Sequence, residues 1–183
     1  MYHQYTYHLP NGKRLVYLSR LIPLKPTDEK HIGNNNLLMA YSHVAHDCRL
    51  GDHCILANCA TLGGHVEVHD YAILGGLSAV HQFCRIGCHC MISGGSMVAK
   101  DVLPYTIAQG DRAKPVGINL VGLQRRGFPE NVLRDLKMAF KILFRSGLNT
   151  NEALGRINEE IRPTPEWAGD EQRVVYHDAT EIV

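Results

Sequence analysis

The stretch that decides the fold runs from Ile32 to Leu103. In sixes it reads IGNNNL LMAYSH VAHDCR LGDHCI LANCAT LGGHVE VHDYAI LGGLSA VHQFCR IGCHCM ISGGSM VAKDVL. The first residue of every hexad is Val, Ile or Leu: Ile32, Leu38, Val44, Leu50, Leu56, Leu62, Val68, Leu74, Val80, Ile86, Ile92 and Val98. Fifth residues are nearly all small, as at Ser42, Cys48, Cys54, Ala60, Ala72, Ser78, Cys84, Cys90 and Ser96, and second residues favour Gly and Ala. A period of six is neither the 3.6 of a helix nor the 2 of an alternating strand. It fits a short flat strand with one aliphatic pointing inward, then a corner where only a small side chain has room. Three hexads close one triangular coil, so residues 18 apart stack, roughly 4.8 Å from coil to coil. The expected fold is mainly β: a left-handed parallel β-helix of hexapeptide repeats, about four coils over 32–103, followed by a C-terminal α-helical segment.

The rest of the chain brackets this solenoid. Residues 1–31 do not follow the period, and Pro23 and Pro26 suggest an irregular or edge segment that covers the first coil. Pro104 stops the repeat, and 104–128 reads as an irregular connector with Gly110, Pro115, Gly117 and Gly122. The segment 129–183 is expected to be helical. Pro129 opens a helix with an apolar face of Val132, Leu133, Leu136, Phe140 and Leu143, and Gly147 ends it. A second helix starts near Asn149, with Glu152 placed for a capping box, and carries Leu154, Ile157 and Ile161 until Pro163 and Pro165. Residues 166–183 give no signal.

Composition narrows the function. The 183 residues hold 19 Lys+Arg against 18 Asp+Glu, a formal charge of +1, which excludes a polybasic nucleic-acid arm or a highly charged disordered chain. No apolar run is long enough for a membrane span, and MYHQYTYHLPNGKRL lacks the order of a secretory signal. Four of the six cysteines occupy small fifth positions, and partners on one face (Cys48 and Cys84, Cys54 and Cys90) fall two coils apart, beyond disulfide reach. Free thiols, a reducing compartment and a cytoplasmic location are expected.

The coil frame turns sequence separation into space. Third positions on one face are His46, Gly64, Gln82 and Lys100; fourth positions are Asp47, His65, Phe83 and Asp101. With His43 one corner away, a patch of His43, His46, Asp47, Gly64, His65 and Gln82 results. An imidazole is a general base near neutral pH. A carboxylate orients it or stabilises its protonated form, and the bare backbone N–H of Gly64 is free to meet a developing oxyanion. No Ser or Cys stands beside His46 in the column, which favours direct attack by a substrate hydroxyl over a covalent enzyme. Two other readings compete. Histidines such as His53, His69 and His89 read as solvated surface residues. His43, His65, His69 and His81 offer nitrogen ligands for zinc, as in a γ-class carbonic anhydrase on this same fold.

The segments NNNLLMAYSHVAHDCRLGDHCILANCATLGGHVEVHDYAILGGLSAVHQFCRIG and GGSMVAKDVLPYTIAQGDRAKPVGINLVGLQRRGF, and above all SHVAHDC, GGHV, AVHQFC and GLQRRGF, resemble the acyl-carrier-protein:UDP-N-acetylglucosamine O-acyltransferases, which open lipid A synthesis. The resemblance runs from about Ile32 to Gly147. It implies transfer of a (3-hydroxy)acyl chain from acyl carrier protein to the sugar 3-hydroxyl, with His46 as general base and Gly64 N–H as oxyanion donor. His43, His65 and Gln82 would contact the sugar nucleotide. Asn119, Arg125 and Arg126 would bind the uridine diphosphate, two fixed cations suiting two phosphates. Gly94 matches the family's acyl-chain ruler. A homotrimer is implied, with no cofactor and no metal. Arg134, Lys137 and Lys141 read either as a surface for the acidic carrier protein or as a solvated face. The chain departs from the family in having fewer coils, no counterpart of the upstream acid and lysine of the sugar-nucleotide site, and Val121 where the family has a glutamate. The expectation is a shortened chain that keeps the chemical core and loses part of the substrate cradle, either with impaired activity or as a non-catalytic hexapeptide-repeat protein.

Overall fold

The computed structural model describes residues 3–8, 14–19 and 30–161. Strands β1 (His3–His8) and β2 (Arg14–Ser19) pair antiparallel with each other, so the segment read as irregular contains regular structure. The expectation that 1–31 covers the first coil falls on residues 20–29, which lie outside the described residues, as do Pro163, Pro165 and 166–183.

From residue 31 the hexads become twelve two-residue strands: β3 (His31–Ile32), β4 (Leu37–Leu38), β5 (His43–Val44), β6 (Arg49–Leu50), β7 (Ile55–Leu56), β8 (Thr61–Leu62), β9 (Glu67–Val68), β10 (Ile73–Leu74), β11 (Ala79–Val80), β12 (Arg85–Ile86), β13 (Met91–Ile92) and β14 (Met97–Val98). They form three parallel sheets, β3-β6-β9-β12, β4-β7-β10-β13 and β5-β8-β11-β14. Every pairing among them joins residues 18 apart, for instance Val44 with Leu62 and Leu62 with Val80. The chain is a parallel β-solenoid of about four turns.

The second residue of each strand is the hexad's first, and it points inward: Leu56, Leu62, Leu74, Ile86 and Ile92 are fully buried. The fifth residue closes the corner. There Cys48 Sγ donates to the Gly63 carbonyl at 3.0 Å and Cys54 Sγ to that of His69 at 3.2 Å, a carbonyl 15 residues on in each case. All six cysteines are free thiols. Burial pushes the Cys54 thiol up to about 12 and Cys84 to about 11, so both stay protonated and behave as small apolar fillers.

The fourth residue makes the turn. From Asn35 to His89 it is left-handed in each hexad, with φ between 55° and 67°. That conformation costs a non-glycine residue roughly 1 kcal/mol. Asn, Asp and His tolerate it best, which suits Asn35, Asp47, His53, His65 and His89.

Above the last coil, β15 (Thr106–Gln109) continues one sheet in parallel with β13 and pairs antiparallel with β16 (Lys114–Ile118). Helix α1 (Leu120–Arg125) follows. The stretch read as an irregular connector is therefore two strands and a short helix; antiparallel pairing between non-repeating residues leaves no period to read. Helix α2 (Glu130–Arg145) has Pro129 as its N-cap and buries Val132, Leu133, Leu136 and Phe140. It packs with Leu123 of α1 and with Cys88 and Tyr105 of the solenoid. Helix α3 (Thr150–Glu160) begins with the Asn149–Glu152 capping box and packs Ala153 and Ile157 against Ala139 and Ile142. Among the described residues no helix is long and apolar enough to cross a membrane.

Candidate active site

The corner after β5 carries His46 and Asp47, and the corner after β8, one coil up, carries Gly64 and His65. His46 Nδ1 lies 2.8 Å from Asp47 Oδ2. The left-handed turn at Asp47, φ 57°, brings its carboxylate back to the preceding imidazole. An ionised carboxylate only accepts, so Nδ1 carries the hydrogen and the Nε2 lone pair is left available. The same Asp47 Oδ2 is 3.7 Å from His65 Nε2. The two imidazoles meet edge to face, their centres 5.1 Å apart, and His65 stacks on Phe83 of the next coil at 4.7 Å. The side chains are partly open to solvent, 49% exposed at His46 and 31% at Asp47.

Gly64 has no side chain because the His46 ring occupies that space: a Cβ there would sit 2.5 Å from His46 Cε1 and 2.6 Å from Nε2. Gly64 is itself buried. Its carbonyl accepts from Phe83 N–H at 3.1 Å, while its own N–H has no acceptor among the described residues. The corresponding third-position amide on another face is satisfied, since Asp52 N–H donates to Asp70 Oδ1, one coil up, at 2.6 Å. In the His46 column the residue in the place of Asp70 is Gln82, which is exposed.

His43 is half-buried, and burial, then the charge of Lys30, lowers its pKa. Gly94 is exposed on the column of Asn58 and Gly76, at the corner after β13, away from the His46 column. Asn119 is 7% exposed, and both ends of its side chain serve the fold. Its Oδ1 accepts from Gly122 N–H at 3.2 Å as the N-cap of α1, and its Nδ2 donates to the His89 carbonyl at 3.0 Å. Arg125 and Arg126 are exposed at the end of α1. The structure thus gathers His46, Asp47, Gly64 and His65. Within one chain it places Gly94, Asn119, Arg125 and Arg126 at other corners.

Two expectations are corrected. Among the described residues, the one group able to share a metal ion is His46, Asp47 and His65, whose donor atoms lie within 4.8 Å of one another. The set His43, His65, His69 and His81 does not bring its donor atoms together: of its members only His65 belongs to that group. His53 and His89 are not simply solvated: they belong to a stack with Tyr71 and Tyr105 along one corner. Sequence reasoning missed this stack, although His53, Tyr71 and His89, each 18 residues from the next, were its signal. On α2, Lys137, Lys141 and Arg145 line a shallow groove with Phe140 and Leu120. Arg134 pairs with Asp135 at 3.3 Å.

The triangular solenoid, with an imidazole and a carboxylate on one coil and a bare amide on the next, is similar to a class of proteins, the hexapeptide-repeat transferases. A family profile described as bacterial transferase hexapeptide (six repeats) matches residues 29–64. A second, UDP N-acetylglucosamine O-acyltransferase, domain 2, matches residues 101–169. The acyl-[acyl-carrier-protein]–UDP-N-acetylglucosamine O-acyltransferase of Aliivibrio fischeri (strain MJ11) is 48% identical over 138 residues, 75% of this chain and 53% of that protein. Its namesake from Janthinobacterium sp. (strain Marseille) is 47% identical over 137 residues, 75% and 52% of the two chains. The solved UDP-N-acetylglucosamine acyltransferase from Campylobacter jejuni superposes with a TM-score of 0.72 at 32% identity, covering 88% of this chain and 71% of that one. LpxA from Acinetobacter baumannii gives 0.71 at 45%, covering 74% and 53%. The chain belongs to the UDP-N-acetylglucosamine O-acyltransferase family. It spans about half the length of the curated relatives it matches.

Proposed function

We propose that this site transfers a (3-hydroxy)acyl chain from acyl carrier protein to the 3-hydroxyl of UDP-N-acetylglucosamine, the first step of lipid A synthesis. His46 Nε2 takes the hydroxyl proton as the sugar oxygen attacks the thioester carbonyl. The charge that develops on the carbonyl oxygen is met by the Gly64 N–H. When the tetrahedral intermediate collapses, the carrier thiolate leaves and takes the proton from the His46 imidazolium. Asp47 holds the imidazole in the tautomer that makes Nε2 the base, by the logic of other imidazole–carboxylate pairs. His43, His65 and Gln82 contact the sugar nucleotide, and Arg125 and Arg126 its two phosphates. Asn119 acts with them by fixing the start of α1. Gly94 sets the room for the acyl chain, and a homotrimer brings these corners together. The basic edge of α2 faces the acidic carrier protein. The reaction uses no cofactor and no metal.

The observation that carries this reading is the His46 ring lying on Gly64 with its other nitrogen held by Asp47. The names of the relatives support the substrate pair. The test is acyl transfer between acyl-carrier thioester and UDP-N-acetylglucosamine. His46→Ala is expected to lose about 10²- to 10⁴-fold in kcat, the usual worth of a general base. An unchanged rate would remove His46 from the role. An inactive parent would point to a non-catalytic solenoid. Stoichiometric zinc in purified active protein would favour the carbonic-anhydrase-like alternative, with His46, Asp47 and His65 as the group able to share the ion.

A further inference from the structure

The corner that precedes β7, β10 and β13 carries a ladder of rings. His53 stacks on Tyr71 at 4.7 Å, Tyr71 on His89 at 4.8 Å and His89 on Tyr105 at 5.6 Å. Helix α1 is fastened to this ladder at both ends. At its start the Asn119 side chain donates to the His89 carbonyl. At its end the chain reverses at Gly127, φ 78°, and returns Phe128 edge-on to His89 and Tyr105. Between these two anchors lies Arg126, the C-cap residue of α1, with its guanidinium carbon 4.5 Å from the centre of the Tyr71 ring.

A cation can be held by a carboxylate or by a ring face, with different results. A carboxylate consumes N–H donors and cancels charge. A ring face fixes the guanidinium plane and leaves its charge and edge donors for another anion. Among the described residues Arg126 forms no ion pair, and it is exposed. The nearby His89 stays neutral because burial, then Arg126 itself, lowers its pKa to about 4, so it adds no competing cation at neutral pH. Asp70, the carboxylate of the neighbourhood, has Oδ1 engaged by the Asp52 amide.

We propose that Tyr71 is a positioning residue for nucleotide binding: its ring face holds Arg126 in a fixed plane with donors free for the diphosphate of a nucleoside-diphosphate sugar. This rests on the sugar-nucleotide reading above and assigns a role to a residue that touches neither substrate nor His46. The ring is required, not the hydroxyl.

The test measures UDP binding to the purified protein by titration calorimetry, with steady-state kinetics beside it. Tyr71→Leu is expected to weaken UDP by roughly three- to tenfold, the worth of a cation–ring contact. It should raise KM for UDP-N-acetylglucosamine by the same factor while kcat and the KM for acyl thioester stay within about twofold. Tyr71→Phe should bind UDP like the parent. In Arg126→Ala, adding Tyr71→Leu should cost nothing further, because the ring acts only through the arginine. Additive losses, or equal losses in the Phe and Leu variants, would overturn the proposal. So would unchanged binding by Tyr71→Leu in a protein whose parent binds UDP. A parent that binds no UDP would remove the sugar-nucleotide reading and this proposal together. If Tyr71→Leu fails to fold by circular dichroism, Tyr71→Gln replaces it; failure of both would make the ring structural and end the proposal.

Discussion

Two corners of this solenoid hold histidine in the same left-handed conformation, His65 at φ 60° and His89 at φ 55°, and they end in opposite states. At the first, the rings are exposed, a carboxylate is turned onto them, and the amide of Gly64 has no acceptor among the described residues. At the second, the rings stack four deep beneath the end of α1, and Asp52 and Asp70 accept from the amides of Asn34 and Asp52 one coil below them. Backbone geometry therefore does not make a corner reactive. What differs is the third-position residue of the next coil: Asp70 satisfies the Asp52 amide below it, whereas Gly64 and Gln82 put no acceptor over the imidazole and the amide below them among the described residues.

The comparison breaks most sharply if one corner can be turned into the other. Gln82→Asp puts a carboxylate over the Gly64 amide, as Asp70 stands over that of Asp52. Acyl transfer should fall about 10²-fold or more, the cost of removing an oxyanion donor, while Gln82→Asn falls much less. Gly64→Ala should do at least as much damage, because its Cβ would occupy the site of the His46 ring. Both are read in kcat/KM, with circular dichroism to show that the solenoid is intact. Activity retained by Gln82→Asp would mean that the two columns are not equivalent.

The converse change acts on stability. Asp70→Ala orphans the Asp52 amide and should cost about 1–2 kcal/mol in urea unfolding. Loss of less than a few tenths would show that water replaces the carboxylate there.

A smaller effect is the pH dependence that His89 brings to stability. The folded chain keeps His89 neutral down to about 4 against an ordinary value of 6.5. Between these values the unfolded chain binds a proton that the folded chain does not. Stability contributed by the neutral ring is therefore complete above about 6.5 and is lost as pH falls toward 4. His89→Phe keeps the stack and removes the titration, so its melting temperature should drop less than the parent's across that window. Parallel curves would mean that other groups carry the acid sensitivity.

Much of this was legible in the sequence because the fold has a period. Leu56, Leu62 and Leu74 could be assigned to the core from their spacing alone, and they are fully buried. The 18-residue frame likewise put His46 beside Gly64. Where the period stops, so does the reading. The antiparallel pair β15–β16 joins residues with no recurring pattern, and Asn119 is committed to capping α1 through an atom-level fit that spacing does not encode. The frame did group Asp47 with His46, and its carboxylate reaches that neighbour through the left-handed backbone at Asp47. The ring ladder had the right spacing, but isolated histidines carry no hint of the helix that covers them.

The uniform pairing of residues 18 apart has a consequence for how such a chain can change length. Adding or removing six residues between His46 and Gly64 would rotate everything beyond by a third of a turn and carry the glycine to a different edge of the prism. Only whole coils can come or go there without shuffling the chemistry. Length can thus change between His46 and Gly64 only by complete rungs.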